Sequence, residues 1–243
     1  MLTNKELAFL KSLQLKKSRD LEGQFLVDNP KVIAENLKSK YFKGLYVTEE
    51  ASLKYREYWK NVDYITISNS ELKKIAPSST PQGAVAVFSF LPVKKFSYQA
   101  EAILLLDSIQ DPGNVGTIIR SADWFGVKDV FLNLNCADIY NSKTVASSMG
   151  SIFNVNFYQN QDLIKLVQDL KKHDYQIIAA DSHGQAGFET KSKTAIVIGS
   201  EAHGVSDQIL NLSDLRYKIK GQGKAESLNA AVAAGIILYQ LNK

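Results

Sequence analysis

With 243 residues the chain can form one large domain or two modest ones, each able to bury a core. Hydrophobic residues make up 45% and charged residues 22%, and no apolar run approaches the roughly 20 residues of a membrane span, so a soluble globular protein is expected. The net charge of +4 is unevenly spread: residues 1–95 carry sixteen Lys and Arg against ten Asp and Glu, residues 96–243 thirteen against fifteen, as in a polyanion-binding arm on a catalytic body.

The N-terminal MLTNKELAFLKSLQLKKSRD has no continuous apolar block and no small-residue cleavage site, which predicts a helix instead of a signal peptide and a cytoplasmic protein. EGQFLVDNPKVIAENLKSKYFKGLYVTEE then reads as strand, helix, strand, with Gly44 expected to stop the helix before LYVT. A helix at SLKYREYWKN, a strand at YITIS, a helix at SELKKIA and a strand at AVAVFSF follow, with a turn marked by Pro77, Pro81 and Gly83. This αβα unit ends near residue 92, and the polar LPVKKFSYQ serves as a linker, so the domain boundary is placed between 92 and 100, giving domains 1–95 and 96–243.

A second alternating series starts with AILLLDSI as a buried strand, TIIRSADWF as a helix closed by Gly126, and DVFLN as the next strand. It continues through SKTVASSMGSIF, VNFY, DLIKLVQDLKKH, QIIAAD, TAIVIGSE, a short helix at SDQIL, LRYKIK and SLNAAVAAGIILYQL. The fold class is therefore α/β, with a mainly parallel sheet flanked by helices in the C-terminal domain. Cys136, the single cysteine, rules out an intrachain disulfide and a multi-cysteine metal cage; at a strand end it reads as a small buried hydrophobe.

In open parallel sheets ligands gather beyond the carboxyl ends of the strands, which directs attention to three loops. In DSIQDPGNVGTIIRSADWFG, Asp111 to Asn114 form a tight turn, Asn114 is placed to cap the next helix, and Arg120 follows about a turn and a half in, so both are candidates to face the loop region. In IVIGSEAHGVS a buried strand runs into Gly199, Glu201 and Gly204, an aimed carboxylate between glycines, without the spacing of a P-loop or a dinucleotide fingerprint. His203 there, like His173 and His183 elsewhere, reads as an exposed or structural histidine. In IKGQGKAESLNAAVAAG, Ser227 or Glu226 is the expected start of a helix whose alanines permit close packing. Taken singly, each of these residues also has a purely structural reading, as a cap, a surface ion pair or a packed core helix.

Together, DSIQDPGNVGTIIRSADWFG, VIGSEAHGVS and IKGQGKAESLNAAVAAGIILY resemble, in order and spacing, the three motifs of the SpoU/TrmH family of RNA ribose methyltransferases, over roughly residues 102–241. The preceding unit resembles the ribosomal-protein-like substrate-binding domain of the rRNA-modifying members, with Asp28 and Asn29 where relatives tend to carry an acidic-glycine pair. The resemblance implies a deep trefoil knot, an exception to the general absence of knots. It further implies S-adenosyl-L-methionine held by Gly199, Ile219 and Leu228, a catalytic set of Asn114, Arg120, Glu201, Ser227 and Asn229 converging at a homodimer interface, structured RNA as partner, and no metal. Two departures stand out: Ala146 where an arginine is common, and Lys220 where a proline is common.

In such chemistry an oxygen nucleophile is set in line with a methyl donor, and orientation alone supplies roughly 7–11 kcal/mol. A guanidinium, with a pKa above about 12, is a poor base, so Arg120 is read as a clamp on phosphate and developing alkoxide. Large-subunit rRNA is the favoured substrate because of the separate N-terminal domain; a tRNA 2′-O-methyltransferase and a noncatalytic knotted RNA-binding protein are the alternatives.

Overall fold

The alternating patterns close into two sheets, seen in a computed structural model that describes residues 1–187, 189 and 192–242. The chain divides into two compact units, Met1–Pro92 with Tyr140–Phe153, and Val93–Ile139 with Asn154–Lys243. Among the described residues no helix is long and apolar enough to cross a membrane.

The first unit opens with α1 (Asn4–Ser12), started by a Thr3/Glu6 capping box, and α2 (Lys16–Glu22). Arg19 of α2 is buried and donates to the carbonyls of Leu13 and Gln14, at the C-terminal end of α1, where a cation is favoured. Strands β1 (Gln24–Val27), β2 (Phe42–Thr48), β3 (Ile65–Ile67) and β4 (Ala84–Ser89) form a sheet of order β1-β4-β2-β3, with β4 antiparallel to both neighbours and β2 parallel to β3. Between them lie α3 (Pro30–Asn36), α4 (Glu49–Lys54), α5 (Arg56–Trp59) and α6 (Asn69–Ile75). Gly44 does not stop a helix. α3 has already ended at Asn36, and Gly44 sits inside β2 where the register against β4 shifts.

The segment 140–153, which its periodicity attaches to the second series, packs with the first unit instead. Tyr140 stacks on Phe90 at 3.9 Å between ring centroids, and its hydroxyl accepts the Leu91 amide at 2.8 Å. Phe153 meets Phe88 at 4.9 Å, so an aromatic cluster with Phe25 at its centre draws in a segment that follows β4 by about fifty residues, a tertiary preference that local patterning does not encode. This segment contains α8 (Ser142–Ser148) and a turn of 3-10 helix at Ser151–Phe153.

The second unit holds β5 (Ala102–Asp107), α7 (Pro112–Trp124), β6 (Asp129–Leu132), β7 (Asn156–Tyr158), α9 (Leu163–Lys172), β8 (Gln176–Gln185), β9 (Thr194–Gly199), α10 (Asp207–Leu212), β10 (Leu215–Tyr217) and α11 (Ala230–Leu241). Its six strands run in the order β10-β8-β9-β5-β6-β7 and every pairing is parallel. Ile103 to Leu106 and Ala195 to Ile198 are buried on both faces, as expected for central parallel strands read as continuous apolar runs. Because β9, β5 and β6 are adjacent and parallel, the loops leaving their carboxyl ends open at one edge of the sheet. α11 packs against α7 and β9, returning the chain from the edge strand β10 to the centre.

Candidate active site

The first motif loop enters α7 through Asp111, not Asn114. Asp111 accepts the Asn114 amide at 2.9 Å, and Pro112 fills the first helical position, where its missing N–H costs nothing. The Asn114 side chain is thereby left for the neighbouring loops: its Nδ2 donates to Glu201, and its Oδ1 accepts from Asn229 Nδ2 at 3.0 Å. One residue from each motif is thus joined in a continuous hydrogen-bonded chain.

Asn229, rather than Ser227 or Glu226, caps α11; its Oδ1 accepts the amides of Ala231 at 3.0 Å and Val232 at 3.3 Å. Ser227 is exposed two residues before the cap. Arg120 does not share the direction of Asn114: six residues at 3.6 per turn separate the two by about 120° around the helix. The Arg120 guanidinium is exposed, makes no hydrogen bond or ion pair with a described residue, and lies on the face that carries Trp124, which is 82% exposed.

Gly199 ends β9, where the contact with S-adenosylmethionine that the resemblance implies would be one reason for a glycine. The structure supplies a nearer reason. A Cβ at Gly199 would fall inside the backbone of Gly204 and Val205, because the loop doubles back through a Ser200–Gly204 bridge whose Gly204 amide donates to the Ser200 carbonyl at 2.8 Å. Glu201 and His203 project from this hairpin and are exposed. His173 instead stacks on Tyr98 at 3.8 Å, and His183 sits 3.6 Å from Asp181, so neither histidine joins Asn114 and Glu201.

Ile219 is half-buried and Leu228 is exposed, and between them the chain is irregular. Residues 219–228 make no hydrogen bond with any described residue, so their amides and carbonyls are available to a ligand read through backbone groups. The donor set fits S-adenosylmethionine held in this way. Lys220 is exposed within this segment, and Ala146 is exposed on α8. Among the described residues no group of His, Cys, Asp and Glu is placed to hold a metal ion.

One buried cluster, centred on Asp107, was not singled out in the sequence. Asp107 closes β5 and is buried; one of its oxygens accepts the Ser206 amide at 2.9 Å, the other Asn133 Nδ2 at 2.8 Å and the Ser108 hydroxyl at 3.2 Å. A carboxylate ending an apolar run reads as a strand boundary, and its place at the carboxyl edge of a parallel sheet was the available signal. Nearby, burial pushes the Cys136 thiol up to about 11, and its Sγ donates to the Leu106 carbonyl at 3.2 Å, in keeping with a structural role.

Residues 101–239 match the model of the SpoU rRNA Methylase family. The chain belongs to this family. Residues 4–86 match the MRM3-like substrate binding domain. The chain is 31% identical, over 98% of its length and 96% of the relative's, to the 23S rRNA (guanosine(2553)-2'-O)-methyltransferase RlmP of Bacillus subtilis. It is 26% identical to mouse mitochondrial rRNA methyltransferase 3, covering 91% of this chain and 68% of that one. Among solved structures it resembles the SpoU methyltransferase AviRb of Streptomyces viridochromogenes in complex with AdoMet, with a TM-score of 0.85, 27% identity, and coverage of 98% of this chain and 97% of the other. For a SpoU methylase, the joining of Asn114, Glu201 and Asn229 means that its three motif loops meet at one point.

Proposed function

We propose that this SpoU methylase transfers a methyl group to a ribose 2′-hydroxyl of large-subunit ribosomal RNA. The observation that carries the reading is the Asn229–Asn114–Glu201 chain, a polar cluster at the carboxyl edge of the parallel sheet beside a segment with unpaired backbone groups. The choice of rRNA over tRNA rests on the substrate-binding domain match and on the 23S specificity of the Bacillus subtilis relative. An rRNA substrate also favours a cytoplasmic enzyme. The domain division at about residue 95 is kept for the RNA-binding and methyl-transferring parts, with 140–153 added to the former.

S-adenosylmethionine, when bound, supplies an electrophilic methyl group. Gly199, Ile219 and Leu228 are proposed to hold it, with the free amides and carbonyls of 219–228. Glu201 has one carboxylate oxygen engaged by Asn114 and is exposed, so its other oxygen accepts a hydrogen bond from the ribose hydroxyl and orients the nucleophile. Asn114 and Asn229 keep Glu201 in place, and Ser227, at the end of the irregular segment, borders the reacting groups. Arg120 binds the phosphate next to the target ribose and steadies the developing alkoxide.

Arg120 points away from Asn114 within one chain, and this favours a homodimer in which each Arg120 serves the partner's site. On α7 and α11, which pack side by side, Trp124 is 82%, Val232 51%, Ile236 37% and Tyr239 55% exposed, an apolar surface of the kind oligomers cover. The return of the chain from β10 through 219–228 to α11 against α7 and β9 is the route a trefoil knot would follow.

Mapping 2′-O-methyl groups in total RNA from cells with and without the gene tests the function. One large-subunit rRNA position is expected to lose its methyl group. Loss confined to tRNA, or no loss, would refute the substrate assignment. Calorimetry is expected to give micromolar binding of S-adenosylmethionine.

A further inference from the structure

The chemistry-bearing loop of the second motif, residues 199–206, is tied at its tip and at its base to different parts of the first motif. At the tip Glu201 accepts from Asn114. At the base the two ends of the loop converge on Asp107: Gly199 is its register partner across β5 and β9, and the Ser206 amide donates to it at 2.9 Å. Asp107 is 5% exposed and no cation among the described residues pairs with it, so neutral donors satisfy its charge. Asn133, which provides one of them, belongs to the loop after β6 and returns a contact by accepting the Ser108 amide at 3.0 Å. Ser108 itself adopts a left-handed backbone, φ 61°, uncommon for a non-glycine residue. Three strand-end loops are therefore fastened to one buried carboxylate.

We infer that Asp107 is a positioning residue for methyl transfer: by holding the Ser206 amide and the Asn133 side chain it fixes the loop that presents Glu201. The inference rests on the proposed role of Glu201, and hydrogen bonds to a buried charge are the strong ones, so the device is stiff. An asparagine at 107 keeps the shape but supplies one acceptor and one donor where two acceptors are needed, leaving either Ser206 or Asn133 facing a donor. The complementary change is Ser206→Pro, which deletes the amide donor. The Ser206 φ of −60° suits proline, and its side chain makes no capping bond that would be lost.

The test measures methyl transfer from labelled S-adenosylmethionine to rRNA isolated from cells lacking the gene, together with amide NMR of the full chain. Asp107→Asn and Ser206→Pro are each expected to lower kcat by about tenfold or more, with KM for S-adenosylmethionine within about twofold. In the Glu201→Gln background neither should lower kcat further, because the effect passes through Glu201. The Ser206 amide proton should resonate far downfield in the wild type and move upfield in Asp107→Asn, while the amides of Leu104 and Leu105 stay in place. Costs that multiply with that of Glu201→Gln, or an unshifted Ser206 amide, would overturn the inference. If Asp107→Asn does not fold, Ser206→Pro carries the kinetic comparison alone. A wild type that methylates no rRNA refutes the proposed substrate, and the Ser206 amide shift still decides whether Asp107 holds the loop.

Discussion

Asn229 presents its side-chain oxygen to the first amides of α11 and so turns its Nδ2 toward Asn114 Oδ1, 3.0 Å away. The direction of every later bond follows. With its oxygen occupied by a donor, Asn114 can offer only its amide to Glu201, which must then accept. A helix cap thus sets the polarity of a network that ends on the proposed substrate-facing carboxylate.

Asn229→Asp tests this directly. Aspartate caps helices as well as asparagine, so α11 should stay folded and Tm should move little. The donor to Asn114 is lost, however, and a second carboxylate faces an amide that must now turn away from Glu201. Methyl transfer should fall about ten- to hundredfold, the worth of a hydrogen bond to a charged group. Side-by-side kinetics and thermal melts check the split between activity and stability.

Much of this site was legible in the sequence, for particular reasons. Buried runs such as AILLLD and TAIVIG fixed the central parallel strands, and the turn residues at Asp111 to Asn114 and Gly199 to Gly204 marked the loops beyond them. What the pattern could not distinguish was which of two adjacent polar residues would cap. Asp111 took the role expected of Asn114, and Asn229 that expected of Ser227, because capping depends on where the helical backbone begins, and helix ends are uncertain by a residue or two. Asp107 and the docking of 140–153 onto Phe88 and Phe90 were hidden for a second reason: both are contacts between segments distant along the chain, to which periodicity is blind.

Cys136 should resist alkylation in the folded protein. Burial raises its thiol to about 11, so at pH 8 the reactive thiolate is scarce, and the thiol proton is engaged by the Leu106 carbonyl. Iodoacetamide at pH 8 is expected to label the native chain at least about tenfold more slowly than the same chain in denaturant, by mass spectrometry. Equal rates would show that the loop after β6 is open.

Trp124→Asp combined with Val232→Asp should give a monomer. Both positions are more than half exposed on the helix pair α7 and α11, so neither charge enters the core and each unit should keep its fold. In a dimer the same charges would be buried without partners, at several kcal/mol each. Sedimentation velocity is expected to show a dimer for the wild type and a monomer for the variant, whose methyl transfer should be lost if the site needs a residue from each copy.

The origin of Arg120 can be settled by complementation. Arg120→Ala and Glu201→Ala should each be inactive alone, the first because a phosphate clamp is missing and the second because the nucleophile is not oriented. If Arg120 acts within its own chain, each site of a mixed dimer lacks one group and none is intact. If it acts across the interface, every mixed dimer has one intact site and one lacking both groups. Tandem-purified mixed dimers of the two variants are therefore expected to recover about half the wild-type activity, whereas inactivity would place Arg120 in its own chain's site. The geometry favours the half-active outcome: about 120° of helix separates Arg120 from Asn114, and within one chain no described residue draws its guanidinium toward Glu201.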